Sequence, residues 1–159
     1  MFRDDDRFAC ALQALDRGQL SSAEAAFDAL LEGATMPAER AFLLNKRGVA
    51  RVGLELRDLA RGDFMAALAA IADYAPAVTN LGNLLLENGE LDAAISQYEK
   101  AIANDAEYAI AYLNLGVAYK RSGRLAEAVR ALRHAQRLEE RARARATSAS
   151  TFWRPARRR

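Results

Sequence analysis

Few side chains in this sequence are of the kind that carry chemistry, and those few stand apart from one another. The single histidine, His134, lies among Arg130, Arg133 and Arg137 and reads as solvated. No carboxylate pair or second histidine frames it for general base work. The single cysteine, Cys10, has no partner for an internal disulfide or a zinc site. Its place in a helical apolar pattern predicts a buried structural thiol. Asp4, Asp5 and Asp6 are consecutive, without further spaced ligands, and read as an acidic flank favoured by the dipole of a helix start. No glycine-rich phosphate loop follows a strand, because no convincing strand exists. These readings predict a protein that is not an enzyme, with no catalytic residue, no metal and no cofactor.

The remaining chemistry sits at the C-terminus. Phe152 and Trp153 precede Arg154, Arg157, Arg158 and Arg159, which joins stacking surfaces to positive charge, as in binders of single-stranded nucleic acid. The same composition suits an anionic membrane surface or an acidic protein. It is equally compatible with Phe152 and Trp153 folding back as a lid over the last helix.

Composition bounds the object that must position these residues. A chain of 159 residues makes one domain or a short array. Its hydrophobic content of 52% is rich in alanine, and three prolines with nine glycines are too few for an all-β fold. Alanine favours helices and lets them pack closely, so the class is all-α. Net charge is +2, yet residues 137–159 hold eight arginines against two glutamates, leaving the rest acidic. Arginine outnumbers lysine 20 to 3, a bias that codon usage alone could produce. Met1-Phe2-Arg3 begins no signal sequence, and no apolar run approaches a membrane span, so a cytoplasmic protein is expected.

The organisation lies in a period. Asn80, Leu81, Gly82, Gly89, Ala94, Tyr98 and Ala101 return 34 residues later as Asn114, Leu115, Gly116, Gly123, Ala128, Leu132 and Ala135. Such a period belongs to helical-pair solenoids. A small residue on the first helix (Gly82, Gly116) lets the second approach, where its alanine (Ala94, Ala128) meets it, and Tyr98 or Leu132 fills space towards the next pair. One step back, Gly48, Ala60, Phe64 and Ala67 keep the register. There, however, Arg47 and Arg51 replace Leu81 and Leu85, and Glu55 replaces the turn glycine. Gly53 is expected to supply that turn two residues early, and Gly62 weakens the second helix by roughly 1 kcal/mol.

The first unit, with Gly18, Ala23 and Phe27, stands 37 residues before its counterpart, and the surplus fits the loop from Gly33 to Pro37. Ser21 and Glu24 form a capping box at its second helix. Units are predicted at 4–40, 41–74, 75–108 and 109–142 within an array spanning 1–146. The last helix runs from Leu125 through Arg145, residues 147–151 form a joint, and 147–159 form a flexible basic tail.

With Leu81-Gly82, Leu85, Gly89, Ala94, Tyr98, Ala101 and then Tyr112, Leu115-Gly116, Tyr119, Gly123, Ala128 in order, the chain resembles the tetratricopeptide repeat family. The resemblance covers about nine-tenths of it. It implies a right-handed α-α superhelix of about four helix pairs with a basic C-terminal tail. It also implies that the first helix of each pair lines a concave, peptide-binding groove. The family's groove positions are held here by Asn45, Lys46 and Val49, by Thr79, Asn80, Asn83 and Glu87, and by Leu113, Asn114, Val117, Lys120 and Arg121. Asn83 and Asn114 match the two asparagines of the family's carboxylate clamp, but Thr79 stands where its first lysine belongs.

Asparagine is mildly unfavourable inside a helix, so a cluster of Asn80, Asn83 and Asn114 needs a reason. An amide offers donors and an acceptor to an extended backbone. The expected function is a protein-interaction adaptor or assembly factor whose groove holds a partner segment, with Lys46, Lys120 and Arg121 favouring acidic side chains. The alternative is a structural subunit, able to self-associate and packed by its ends or convex face. In that case the tail anchors it to an acidic protein, nucleic acid or an anionic membrane.

Overall fold

A computed structural model describes the backbone of residues 6–152 and the side chains of residues 6–147. Eight helices follow in order: α1 (Asp6–Asp16), α2 (Leu20–Gly33), α3 (Pro37–Gly53), α4 (Arg57–Ala70), α5 (Ala75–Glu87), α6 (Leu91–Asn104), α7 (Ala109–Arg121) and α8 (Leu125–Phe152). Each packs on its neighbours in the chain, and the first helices α3, α5 and α7 also touch in succession. The molecule is an all-α tetratricopeptide-type solenoid, as the period predicts.

The turn inside each pair closes in one way. Backbone N–H groups of Gln19, Leu56, Glu90 and Arg124 reach back five residues to the carbonyls of Ala14, Arg51, Leu85 and Tyr119, at 2.9–3.0 Å. This is the Schellman closure, which needs a left-handed residue just past the helix. Gly18, Gly89 and Gly123 supply it with φ of 70°, 82° and 79°, and in the second unit Glu55 does so with φ of 63°. The turn is therefore not moved to Gly53, which remains inside α3. Gly53 instead makes room for the neighbouring unit, since a Cβ there would lie 2.6 Å from Leu20 Cδ1.

Close approach within pairs is confirmed, with one change of actor. A Cβ on Gly48, Gly82 or Gly116 would meet the Phe64 ring at 2.5 Å, the Tyr98 ring at 2.7 Å or Leu132 at 2.7 Å. The large residue of the second helix covers the glycine, while Ala60, Ala94 and Ala128 are buried beside it. Tyr98 also reaches the next unit, sharing a core with Leu115, Ala118 and Tyr119.

Three local expectations fail. The surplus residues of the first unit lengthen α3, which starts at Pro37, so the unit boundary falls at 34–36 rather than 40/41. Proline at the first helical position fixes φ where no N–H is needed. The Ser21–Glu24 capping box does not form: α2 begins at Leu20 with no side-chain cap bond, and Glu24 pairs with Arg51 instead. The joint at 147–151 is helical, because α8 runs unbroken to Phe152. Alanine and arginine dominate its approach, and the nearest helix breaker in the sequence is Pro155. No helix among the described residues is long and apolar enough to cross a membrane.

Candidate functional site: an asparagine ladder across the first helices

The helical spacing that puts Asn80 and Asn83 on one face of α5 also aligns them with α3 and α7, and the four amides join. Asn80 Nδ2 donates to Asn45 Oδ1 at 2.8 Å and Asn83 Nδ2 to Asn80 Oδ1 at 3.4 Å. Asn114 Nδ2 donates to Asn83 Oδ1 at 2.8 Å, and the Tyr98 hydroxyl donates to the same oxygen at 2.8 Å. Burial pushes Tyr98 up to about 12, so it stays a donor. The chain of bonds offsets the helix cost of each asparagine and polarises its members. An amide has two N–H groups, so Asn80, Asn83 and Asn114 each keep one donor for another partner, and Asn114 keeps its oxygen.

Beside the ladder lies a pocket of about 160 Å³ between α3 and α5. Val49, Val52, Phe64 and Leu84 form its apolar walls, and Asn80, Asn83 and Glu87 its polar rim. Around the groove, Lys46 Nζ sits 5.4 Å from the centroid of the Phe42 ring. Arg121 Nη1 donates to the Leu86 carbonyl at 3.1 Å, and Glu87 accepts from Arg57 at 3.3 Å. Lys120, Leu113 and Val117 are exposed. The amides are thus flanked by both signs of charge and by aliphatic surface.

Two predicted groove residues are not available to a ligand. Thr79 is 1% exposed and its Oγ1 has no hydrogen-bond partner. It is an interior residue because α5 is covered by α4, α6 and α7, whereas Leu113, its counterpart on the less covered α7, is 42% exposed. Asn45 is likewise buried and anchors the ladder from beneath.

A second polar cluster is not foreseen by the repeat pattern. Arg47 forks onto Asp63, Nε to Oδ2 at 3.1 Å and Nη2 to Oδ1 at 2.6 Å, and its Nη1 binds Asp28. Arg51 joins through Nη1 to Asp63 Oδ2 at 2.9 Å and Nε to Glu24 at 2.8 Å. Asp63 is 4% exposed. The bond to Asp63, against burial, holds the Arg47 guanidinium above its usual value. The signal is present in the sequence: arginines at the Leu81 and Leu85 positions are matched by Asp63, Asp28 and Glu24 on the two second helices that face them. Each charge alone looks like a lapse in the repeat, whereas together they form a substitute packing.

Comparison with known proteins agrees with this architecture. Family profiles described as TPR repeat and tetratricopeptide repeat match residues 82–123 and 109–141. Residues 82–141 of this chain match the tetratricopeptide repeat. Among curated proteins none matches at the level of sequence. Among solved structures, a crystal structure of MamA is 25% identical, covering 90% of this chain and 85% of its own, with TM-score 0.67. YrrB, described as a TPR protein with an unusual peptide-binding site, is 23% identical over 84% of this chain and 68% of its own, TM-score 0.61. The second TPR of Spaghetti (RPAP3), bound to an HSP90 peptide, is 22% identical over 62% of this chain and 92% of its own, TM-score 0.57.

Within these tetratricopeptide repeats the isolated candidates gain no catalytic company. His134 is half-buried rather than solvated, stacked on Tyr112 with ring centroids 4.2 Å apart. Its Nδ1 lies 3.4 Å from Arg137 Nη2, in a recess of about 300 Å³ on the back of α7 and α8. Cys10 is exposed rather than buried, because among the described residues no helix packs on that side of α1. Among the described residues no group of histidine, cysteine or acidic side chains could hold a metal. Trp153, Arg154, Arg157, Arg158 and Arg159, and the side chain of Phe152, lie outside the described residues.

Proposed function

We propose that the groove holds an extended segment of a partner protein, with no turnover, so that the chain works as an adaptor. The observation that carries this reading is the ladder Asn80–Asn83–Asn114 beside an aliphatic pocket. The free amide donors would meet backbone carbonyls of the segment, Asn114 Oδ1 would accept an N–H, and the pocket would take a side chain. A cavity of about 150 Å³ accepts benzene, so a branched aliphatic or phenyl group is the right size. Lys46, Lys120 and Arg121 would favour acidic neighbours in the segment, while Glu87 would accept one cation. The peptide-bound RPAP3 repeat uses the same fold for a ligand of this kind.

Random peptides displayed on phage and selected against the protein test the reading. Selected peptides are expected to carry one aliphatic or aromatic anchor and to lose at least tenfold in affinity for Asn114→Ala. That change leaves the Tyr98–Asn83 bond in place, and circular dichroism checks the fold. Peptides that bind the variant equally well would place recognition elsewhere.

A further inference from the structure

The last face that the structure describes carries exposed apolar residues beside Arg133. Between interior units, α7 lies across α6 and α5, burying Ile95 and Tyr98 against Leu115, Ala118 and Tyr119, and Thr79 of α5 is buried as well. Thirty-four residues later the same face carries Val129, Leu132 and Leu113, with Val117 and Leu125 beside it. Among the described residues no helix covers it, and Val129 is 45% and Leu125 63% exposed. Terminal repeats ordinarily need a polar outer face to stay soluble.

The opposite end offers a matching surface. Between α1 and α2 runs an apolar groove of about 340 Å³, walled by Cys10, Ala26, Ala29 and Leu30 with Asp6 and Arg7 at its edge. Carried along the repeat, Cys10 occupies the position of Arg47, Leu81 and Leu115, the residues that face the preceding unit. The groove therefore sits where a preceding second helix would pack, and α8 is such a helix with its face open.

We propose that the partner for both ends is a second copy of this chain, joined head to tail so that α1 of one copy covers α7 and α8 of the next. The junction would continue the interface already built between α6 and α7. Register transfers directly. Glu24 meets Arg51 and Asp28 meets Arg47 in the first interior junction. At the open end Val129 and Arg133 hold the positions of Glu24 and Asp28, while Ala14 and Cys10 hold those of Arg51 and Arg47. Val129 thus falls on Ala14, and Arg133 falls on Cys10, one helical turn from Asp6. Charge agrees with this pairing. At the contact itself Asp6 borders the groove and Arg133 would arrive one turn away, while Glu24 and Asp28 stay engaged with Arg51 and Arg47 of α3. A heterologous contact of this kind does not close on itself, so assembly proceeds as a linear array.

Cys10 provides the probe. The full-length C10S/V129C protein is mixed with a tagged wild-type chain, treated with a short bismaleimide and resolved by mass. Cross-linked heterodimers are expected, with each protein alone giving little product, because only the mixture places one thiol at each side of the contact. Sedimentation of the wild-type chain is expected to show mass rising with concentration. Val129→Arg, at an exposed site that leaves the fold intact, should weaken self-association at least tenfold. A monomer at all concentrations, or cross-linking within either protein alone at the yield of the mixture, would overturn the proposal.

Discussion

Asp63 is the residue on which the first two units depend, and its removal can be worked through. It is 4% exposed and accepts from both Arg47 and Arg51, whose side chains are each 15% exposed. Asp63→Ala leaves two guanidinium groups facing a methyl in a site where water enters poorly. Removing one member of a buried ionic cluster costs about 3–5 kcal/mol, mostly from the stranded charge. The arginines would keep Glu24 and Asp28, which places the expected loss near the lower end, about 3 kcal/mol. The chain also contains its own control, since the third unit solves the same packing problem with Leu81, Leu85 and Gln97. The triple change R47L/R51L/D63Q imports that solution. Replacing a buried ionic cluster by apolar residues of similar size is neutral or stabilising by about 1–4 kcal/mol. Glu24 and Asp28 turn to solvent, Asp28 being largely exposed already. Urea unfolding followed by circular dichroism measures all three proteins. The expected order places the triple variant at or above wild type and Asp63→Ala well below both. The reasoning fails if Asp63→Ala loses less than about 1 kcal/mol, or if the triple variant is the least stable of the set.

Other expectations follow from single positions. Glu55→Gly removes the left-handed penalty of a residue with a Cβ, about 1–2 kcal/mol, and should raise the melting temperature even though its ion pair with Arg57 is lost. Gly62→Ala, in the exposed middle of α4 with open space where the Cβ would go, should stabilise by about 1 kcal/mol in the same assay. Gly82→Ala puts a methyl 2.7 Å from the Tyr98 ring and should destabilise by about 1–3 kcal/mol. Tyr98, raised by burial to about 12, contributes stability that is complete below the ordinary tyrosine value of 10 and lost as pH rises towards 12. Ultraviolet titration should show a late tyrosinate phase that coincides with alkaline unfolding and loses amplitude in Tyr98→Phe, the remainder coming from Tyr108, which burial also pushes up to about 12.

The repeat makes the scaffold legible because packing imposes it on every unit. Gly48, Gly82 and Gly116 can hold no side chain under their partners, and the 34-residue echo follows from that constraint. The asparagine cluster is legible for the same reason, since the period sets Asn80, Asn83 and Asn114 on neighbouring faces. Their mutual bonds are hidden, as is the burial of Asn45 and Thr79, because burial depends on which helices lie above a residue. Arg47 and Arg51 mislead by breaking the apolar pattern. A periodic reading scores each position against its copies, whereas Asp63 compensates from another helix. Glu55 misleads in the opposite sense: the backbone keeps the turn and accepts strain where glycine is missing. Ser21 and Glu24 have the spacing of a cap, but Gln19 already stands at the helix entry and Arg51 claims the glutamate. The apolar pattern alone places Cys10 in a core, but no helix among the described residues covers that side of α1.

The two kinds of junction in this solenoid respond to salt in opposite directions. Between the last two units the contact is oily, through Leu115, Tyr98 and Ile95, and it weakens on cooling and strengthens with excluded salts such as sulfate. Between the first two units an ionic cluster lies beside an apolar core of Phe27, Leu30 and Leu43, and heating lowers the desolvation penalty that opposes the ionic part. Fraying in a rod of nearest-neighbour contacts begins at its weakest joint. In this chain salt biases that choice: excluded salts tighten the C-terminal joint, while salt screens the ionic part of the N-terminal one.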